Sequence, residues 1–198
     1  MTSLVITLSI ASVTLVDMNQ DPQLDTRNVI DAYKGWSNEA IIADLDTKRF
    51  AFHIAIENFQ HDFNIGTIVR NANAFNAGMV HIVGKKQWNR RGAMVTDKYL
   101  HVLHHPDLED FKTWLEESKM HPIGIDNIPG SLPLHQVVLP ENSVLIMGQE
   151  GPGLSPEMQA VCEKVVAIEQ FGSTRSVNVG VASGLIMYAW LNQNVLGK

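Results

Sequence analysis

Asn64 and Arg70 are the first side chains in the sequence whose types and spacing can do chemistry. They belong to a loop and helix start, residues 61–67 and beyond, that follow a strand-like run. Asn at a helix start often only caps the helix, and an Arg on a helix can be a solvated charge. The neighbours of Arg70 are apolar or small, however, so its fork of donors favours a phosphate or carboxylate partner. Both pairs of alternatives stay open from these residues alone.

Residues 148–153 form a second loop, in which three glycines surround Glu150. Glycines let the backbone turn sharply and approach a ligand closely. The spacing matches neither the dinucleotide fingerprint nor the phosphate loop, and Glu150 would repel phosphate groups. A ligand that is not polyanionic fits better, and S-adenosylmethionine, with its sulfonium cation, is one. An ordinary Gly-rich turn is the alternative.

A third loop, residues 171–178, gathers hydroxyl groups and an amide before the last helix-like run. Ser176 and Asn178 can bind a ligand there or simply cap the helix. Gly180 and Gly184 stand one turn apart inside that run. Because glycine is unfavourable in a helix interior, they indicate a close backbone approach, either to the sheet or to a second subunit.

One basic cluster with an interleaved aromatic residue follows the strand-like run that ends at Val83. It can grip phosphates while its indole stacks on a base, although a solvated surface loop is the alternative. The cluster consists of Lys85, Lys86, Trp88, Arg90 and Arg91.

Three histidines close together suggest a metal site, but no acidic or Cys cluster accompanies them, so we expect no metal. They are His101, His104 and His105.

Strand-like and helix-like runs alternate along the chain, which predicts an α/β fold with a mostly parallel sheet flanked by helices. One or two short helices within 21–46 precede this pattern, and Ser155 with Pro156 is typical of a helix start. The predicted strands are 50–56, 79–83, 122–125, 143–147 and 164–168, and the predicted helices are 65–75, 108–119, one beginning at Ser155, and 177–196.

Length and composition indicate one folded domain with a short appendage. The 198 residues carry a net charge of −6, so any contact with nucleic acid must be local. The single Cys162 excludes an intramolecular disulfide and fits the cytoplasm. The apolar segment 1–16 lacks the basic residues of a signal peptide and is too short to span a bilayer. We interpret 1–18 as an extended or mis-assigned start, with an added strand as the alternative and export as the least favoured reading.

In combination and in this order, the three loops resemble the three motifs of the SpoU/TrmH group of SPOUT methyltransferases. The likeness runs from Asn64 to Arg70, through 148–153, to 176–179, and covers about residues 50 to 196. The chain therefore divides into an N-terminal extension, 1–49, and a SpoU-like methyltransferase domain, 50–198. It departs from the common family pattern at Glu169, where Pro is usual, and at Val177, where Leu is usual, which puts the shape of that loop in question.

The resemblance implies S-adenosylmethionine-dependent 2'-O-ribose methylation of RNA, and a parallel α/β domain whose C-terminal part forms a trefoil knot. It implies a homodimer, because the first-motif arginine acts toward the cofactor of the other subunit. Backbone groups at Gly148, Ile168 and Val177 would hold the cofactor. The catalytic set it implies is Asn64, Arg70, Glu150, Ser176 and Asn178.

Two alternatives from other classes remain. One is a catalytically silent RNA-binding protein that keeps the fold, and the other is an α/β enzyme that uses the Gly-rich loop for another cofactor. All five polar candidates are present, which disfavours the first, and the nucleotide fingerprints are absent, which disfavours the second. The sequence does not decide between tRNA and ribosomal RNA, or whether Arg70 acts as a base or as a phosphate clamp.

Overall fold

A seven-stranded sheet forms the centre of the molecule in a computed structural model that describes residues 22–59 and 64–197. Its strand order is β3-β2-β1-β6-β4-β7-β5, and every neighbouring pair is parallel. The predicted parallel α/β fold is thereby confirmed. The segment 1–18 and residues 61–63 of the first loop lie outside the described residues.

The elements have the following bounds. The strands are β1 His53–Asn58, β2 Val80–Gly84, β3 Val102–His105, β4 His121–Ile125, β5 Leu132–Pro133, β6 Ser143–Met147 and β7 Lys164–Ala167. The helices are α1 Asn38–Asp46, α2 Ile65–Ala74, α3 Leu108–Ser118, α4 Pro156–Val161 and α5 Val179–Leu191. Short 3₁₀ turns at Pro22–Leu24 and Asp31–Tyr33 precede α1, as expected for the segment 21–46.

Two strands escaped prediction. β3 exposes two of its four residues, and β5 has only two residues at the other edge of the sheet. The pattern-based prediction relied on buried apolar runs, which neither edge strand has. The histidines at 104 and 105 belong to β3 and are not a separate cluster.

Helices cover both faces of the sheet because side chains of a strand point alternately to either side. Ile54 and Ile56 of β1 pack with α2 and α5, whereas Ala55 packs with α3 and α4. Parallel strands buried on both faces are almost continuously apolar, as in β6, where all five residues are buried. The carboxyl ends of the strands therefore meet at one edge of a three-layered core.

Four of the described helices begin at a polar residue whose side chain caps the helix. Ser37, Asp107 and Ser155 each accept a hydrogen bond from a first-turn backbone N–H, and Asn178 accepts two. Pro156 occupies the first position of α4, as predicted.

α5 ends earlier than the helix predicted over 177–196. It continues as a π-helical turn, Asn192–Leu196. The Gln193 amide binds across to the Val137 carbonyl (3.0 Å), and the Asn194 amide to the Leu139 carbonyl (3.2 Å). These contacts hold the C-terminal turn against the segment before β6.

Of the two glycines expected to make a close approach, Gly180 does so, and it does so against α2. A Cβ atom added at Gly180 would lie 2.9 Å from Cγ2 of Thr67, and the Asn71 amide donates to the Gly180 carbonyl (2.8 Å). At Gly184 an added Cβ atom would make only an ordinary contact, 3.4 Å from Asn71 Nδ2, so the expectation is confirmed at Gly180 alone.

None of the helices described within 22–59 and 64–197 is long and apolar enough to cross a membrane.

A row of three imidazoles crosses the sheet beneath α3. His53 Nδ1 lies 3.0 Å from His81 Nε2, and His81 Nδ1 lies 2.9 Å from His105 Nε2. The row ends where His105 Nδ1 meets the Asp110 carboxylate (2.8 Å). Because a carboxylate can only accept, each Nδ1–H donates in turn toward Asp110, and the Trp114 ring packs over His81 at 4.0 Å between centroids.

The ring nitrogens of this row bind one another and Asp110. In the part of the chain that the structure describes, no group of three or more His, Cys, Asp or Glu side chains is arranged to hold a metal ion. Burial instead lowers the pKa of His53 to about 4 and that of His81 to about 2.

We predict that the protein loses stability as the pH falls from 6.5 toward 4. Both folded-state pKa values lie below the usual 6.5, so the unfolded chain takes up these protons first, and each histidine removes up to about 1.4 kcal/mol per pH unit. Urea unfolding measured from pH 7 to pH 4.5 tests this. His53→Phe should reduce the slope, whereas His121→Gln, at a half-exposed histidine paired with Glu163, should change it less. Equal slopes in all three proteins would contradict the prediction.

Candidate active site

A cavity of about 300 Å³ opens at the carboxyl ends of β4, β6 and β7. This is the edge at which open α/β sheets bind ligands, and the volume is at the lower end of the range for small-molecule sites. Its described lining consists of Ile125, Asp126, Asn127, Met147, Gly148, Gln149, Glu150, Gly151, Gly153, Ile168, Gln170, Ser176, Val177, Asn178, Val179 and Ala182.

All three residues predicted to hold a cofactor line this cavity. Gly148 follows β6, Ile168 follows β7, and Val177 precedes α5. Glu150 and Ser176 line it too. The sheet therefore brings together loops that are far apart in sequence, although the roles of these residues stay predictions.

Three polar side chains from the three loops meet beside this cavity, and two of them, Glu150 and Asn178, line it. The Asn64 amide donates to the Glu150 carboxylate. The Asn178 amide donates to Asn64 Oδ1 (2.9 Å) and to Glu150 Oε1 (3.3 Å). We call Asn64, Glu150 and Asn178 the polar triad. It links the start of α2, the Gly-rich loop and the start of α5.

Asn64 and Asn178 could each have been only a helix cap, and the structure gives a different answer for each. The side chain of Asn64 makes no capping hydrogen bond to α2, so the capping interpretation is wrong there. Asn178 does cap α5, through Oδ1 contacts to the Gly180 and Val181 amides of 2.9 and 3.3 Å, and uses its amide group for the triad. One side chain thus both begins the helix and joins the site.

Arg70 and Ser176 do not join the polar triad. Ser176 lines the cavity, but among the described residues its hydroxyl makes no hydrogen bond; only its carbonyl is engaged, by Thr174 Oγ1 (2.9 Å). Arg70 lies on the exposed side of α2 and lines a second cavity instead. Within 22–59 and 64–197 its guanidinium forms neither a hydrogen bond nor an ion pair, so it is available for an external anion.

Asp126 fixes the shape of the Gly-rich loop, and sequence reasoning missed it. Its Oδ2 accepts from the Leu154 amide (2.8 Å), and its Oδ1 accepts from the Asn127 amide (2.7 Å). The loop itself is closed by paired backbone hydrogen bonds between Gln149 and Gly153 (3.0 Å each). The signal available in the sequence was a carboxylate directly after the predicted strand 122–125.

A second carboxylate, that of Glu57, anchors the residue that follows Leu154, at the same end of the loop. It is fully buried and accepts from the Ser155 amide (2.8 Å) and hydroxyl (2.6 Å). Burial raises the pKa of Glu57, against these hydrogen bonds. A charged residue inside an apolar strand was the signal that the sequence offered.

The predicted basic cluster lies beside the start of α2. A Cβ atom added at Gly66 would lie 2.8 Å from the backbone nitrogens of Gly92 and Ala93, which places the end of the cluster next to the residues that follow Asn64. Lys85, Lys86, Arg90 and Arg91 are exposed.

Trp88 is less free than a stacking role requires. It is half-buried against the core, and the Arg90 guanidinium lies over its ring at 5.4 Å. Arg90 also contacts Asp97 (3.4 Å). Stacking of a base on Trp88 would have to displace Arg90.

The fold and the cavity define an α/β protein with a small cavity at the carboxyl edge of a parallel sheet. The model of the SpoU rRNA Methylase family matches residues 51–188, and the chain belongs to this family.

The chain is also similar in sequence to curated proteins, at low identity. The chain is 24% identical over 138 residues to the tRNA (guanosine(18)-2'-O)-methyltransferase of Escherichia coli, covering 68% of this chain and 60% of that protein. It is 24% identical over 192 residues to the 23S rRNA (guanosine-2'-O-)-methyltransferase RlmB of Neisseria meningitidis, covering 82% and 72%. The chain therefore spans about 60% of the length of the E. coli relative.

Solved structures share the fold. The TrmH/SpoU tRNA modifying enzyme of A. aeolicus aligns with a TM-score of 0.70 at 21% identity, covering 81% of this chain and 83% of that one. The SpoU methyltransferase AviRb of Streptomyces viridochromogenes, in complex with AdoMet, aligns with a TM-score of 0.67 at 23% identity, covering 78% and 62%.

We predict that Gly153→Ala destabilises the protein more than Gly151→Ala. Both glycines have positive φ angles, so each alanine costs about 1 kcal/mol or more in backbone strain. Only at Gly153 would the new Cβ meet a neighbour, Asp126 Oδ2 at 2.2 Å, whereas nothing lies within 4 Å at Gly151. Chemical denaturation should show Gly153→Ala to be the less stable variant by roughly 1–3 kcal/mol. Equal losses would mean that Asp126 does not hold the loop.

Proposed function

We propose that the protein transfers a methyl group from S-adenosylmethionine to a ribose 2'-hydroxyl of RNA, either tRNA or ribosomal RNA. The observation that carries this proposal is the cavity where the polar triad joins three loops that are distant in sequence. Family membership and the 2'-O-methyltransferase names of the two curated relatives support it, as does the AdoMet complex of a structural neighbour.

The residues around the cavity suit S-adenosylmethionine. A Cβ atom at Gly148 would lie 2.4 Å from backbone atoms of Gly153 and Leu154, so only glycine leaves the backbone there in its observed path. Backbone groups at Gly148, Ile168 and Val177 would hold the cofactor. The carboxylates of Glu150 and Asp126 give the cavity a negative character that favours a ligand with a sulfonium and an amino group. When bound, this cofactor supplies the electrophilic methyl group.

The protein's own task is to orient the ribose hydroxyl for attack in line with the sulfur–methyl bond and to take up its proton, for which we assign the Glu150 carboxylate at the cavity. We assign Ser176 to orient the hydroxyl, since its side chain lines the cavity without a protein partner among the described residues. Asn64 and Asn178 hold the Glu150 carboxylate in place. A guanidinium stays protonated, so we assign Arg70 first as the clamp on a substrate phosphate.

We further propose that the protein is a homodimer in which Arg70 acts at the cavity of the partner. Arg70 lies outside the cavity of its own chain. A stripe of exposed apolar residues runs along α5 at helical spacing, with exposed fractions of 54%, 46% and 55% at Val181, Leu185 and Tyr188. A second copy packed on this stripe would remove it from water.

The remaining family features are proposed on the same basis. The C-terminal part would form a trefoil knot, and the protein would work in the cytoplasm, where its RNA substrates lie. The basic cluster would contact RNA phosphates, its aromatic residue reinforcing the site. This cluster is Lys85, Lys86, Trp88, Arg90 and Arg91.

We predict that labelled methyl groups pass from S-adenosylmethionine to the 2'-hydroxyl of either bulk tRNA or ribosomal RNA. Arg70→Ala should lower kcat/KM by roughly a hundredfold, because an ion contact to the reacting RNA is lost, and should leave binding of S-adenosylmethionine unchanged. Arg70→Lys should recover only part of the activity, since Lys lacks the planar fork. Cofactor binding without transfer to any RNA would identify the silent RNA-binding alternative.

We predict that Leu185→Asp converts a dimer into monomers, because a carboxylate cannot be buried on the α5 stripe without a partner. Light scattering coupled to size exclusion measures this directly. Val138→Asp, at an 81% exposed valine outside α5, is the matched control and should remain dimeric. A monomeric wild-type protein would refute the dimer.

A further inference from the structure

A second cavity, of about 520 Å³, lies between the N-terminal segment and α2. Its described lining consists of Asn28, Val29, Ile30, Tyr33, Ile41, Leu45, Lys48, Arg70, Asn73, Ala74, Asn76, Thr96 and Tyr99. We call it the N-terminal cavity. It shares no lining residue with the first cavity, but it contains Arg70, one of the catalytic candidates.

The walls of the N-terminal cavity combine an apolar interior with amides and cations. Tyr33, Ile41 and Tyr99 are buried apolar residues that form part of the wall. The side chains of Asn28 and Asn73 make no hydrogen bond to any described residue, so their amides remain available to a ligand. An apolar wall with a few polar groups is the usual make-up of a site for a flat heterocycle, and amides are suited to the edges of nucleobases.

The two cations that line this cavity, Lys48 and Arg70, differ in whether a protein group pairs with them. Lys48 is paired with Asp44 (2.6 Å) and lies over the Tyr33 ring (5.4 Å), contacts that raise its pKa and keep it charged. The Arg70 guanidinium has no such partner within 22–59 and 64–197. The cavity therefore offers one exposed, uncompensated charge for an anion, beside a heterocycle-sized space.

The chain also leads from the basic cluster into this cavity. Thr96 and Tyr99, which line it, belong to the 3₁₀ turn Thr96–Tyr99, and the ion pair between Arg90 and Asp97 ties the basic cluster to the same turn. The wall of the N-terminal cavity is therefore tied to the basic cluster by an ion pair as well as by the chain.

Much of the wall lies outside the part of the chain that the family model matches. That model begins at residue 51, whereas seven lining residues lie between Asn28 and Lys48. The cavity is therefore built by joining a segment outside the matched range to the helix that carries Arg70.

We propose that the N-terminal cavity binds one unpaired nucleotide of the RNA substrate, with its base between the N-terminal segment and α2 and its phosphate on Arg70. This rests on the proposed function and deepens it. The bound nucleotide is a neighbour of the one that is methylated, and the shared phosphate on Arg70 sets the distance between them. The cavity would then select RNAs with an unstacked base at that distance.

The test fills the cavity without touching a catalytic candidate. Ala74→Phe places a ring in the cavity from an exposed position of α2, and Ala43→Phe places the same ring on the exposed side of α1, away from it. Fluorescence anisotropy with labelled bulk tRNA and labelled ribosomal RNA fragments measures RNA binding directly, without methyl transfer. Ala74→Phe should weaken binding of the substrate RNA about tenfold, within the range for loss of one stacked base, and Ala43→Phe should change it less than twofold.

A second pair of variants keeps the test valid if Ala74→Phe fails to fold. Ile30→Glu brings a carboxylate to the cavity wall, and Leu24→Glu brings one to an exposed apolar position that does not line it. Only Ile30→Glu should weaken RNA binding, with the melting temperature and calorimetric binding of S-adenosylmethionine unchanged in both variants.

The outcomes separate this inference from the proposed function. Unchanged RNA affinity in Ala74→Phe and Ile30→Glu overturns the cavity's role, even if the wild type methylates RNA. Weakened affinity in both, with no methyl transfer by the wild type, supports the nucleotide site and overturns the enzymatic function. Equal weakening in the control variants also overturns the cavity's role, because the effect would not be local.

Discussion

The hydrogen bonds of Asn178 are the constraint on which the candidate site depends. Its carbonyl oxygen starts α5, and its amide reaches Asn64 and Glu150 across separations of 114 and 28 residues. These contacts exist only because β1, β6 and β7 run parallel and end at one edge. Through these hydrogen bonds the triad couples the start of α2, the Gly-rich loop and the start of α5 into one surface.

Two carboxylates support this surface from within the sheet. Asp126 accepts from the amide of Leu154, and buried Glu57 accepts from that of Ser155, so consecutive backbone N–H groups at the end of the Gly-rich loop are both fixed by acids. A buried charge is costly unless it is hydrogen-bonded, and here the cost is offset by a loop held in a conformation with positive φ at Gly151 and Gly153. The loop is therefore ordered before any ligand binds.

Local patterns in the sequence predicted most of the fold and the loops of the site. The predicted strand 143–147 has the same bounds as β6, and a helix begins at Ser155 and Pro156 as predicted. Both features were predictable because apolar runs and helix caps are encoded within a few residues. The edge strands β3 and β5, and the roles of Asp126 and Glu57, depend on contacts between distant segments. The three imidazoles likewise align only after β1, β2 and β3 pair, so the histidines near 101–105 could not be assigned from spacing alone. The position of Arg70 at a second cavity was equally beyond reach of a local pattern.

The central claim is that S-adenosylmethionine binds where the Gly-rich loop meets the start of α5. Hydrogen–deuterium exchange with and without S-adenosylmethionine tests it most directly, because bound ligand slows opening of the segments it touches. The account predicts new protection confined to residues 147–154 and 168–180, with the segment 28–48 unchanged. Absence of protection at a saturating cofactor concentration, or protection at the N-terminal cavity alone, would contradict it.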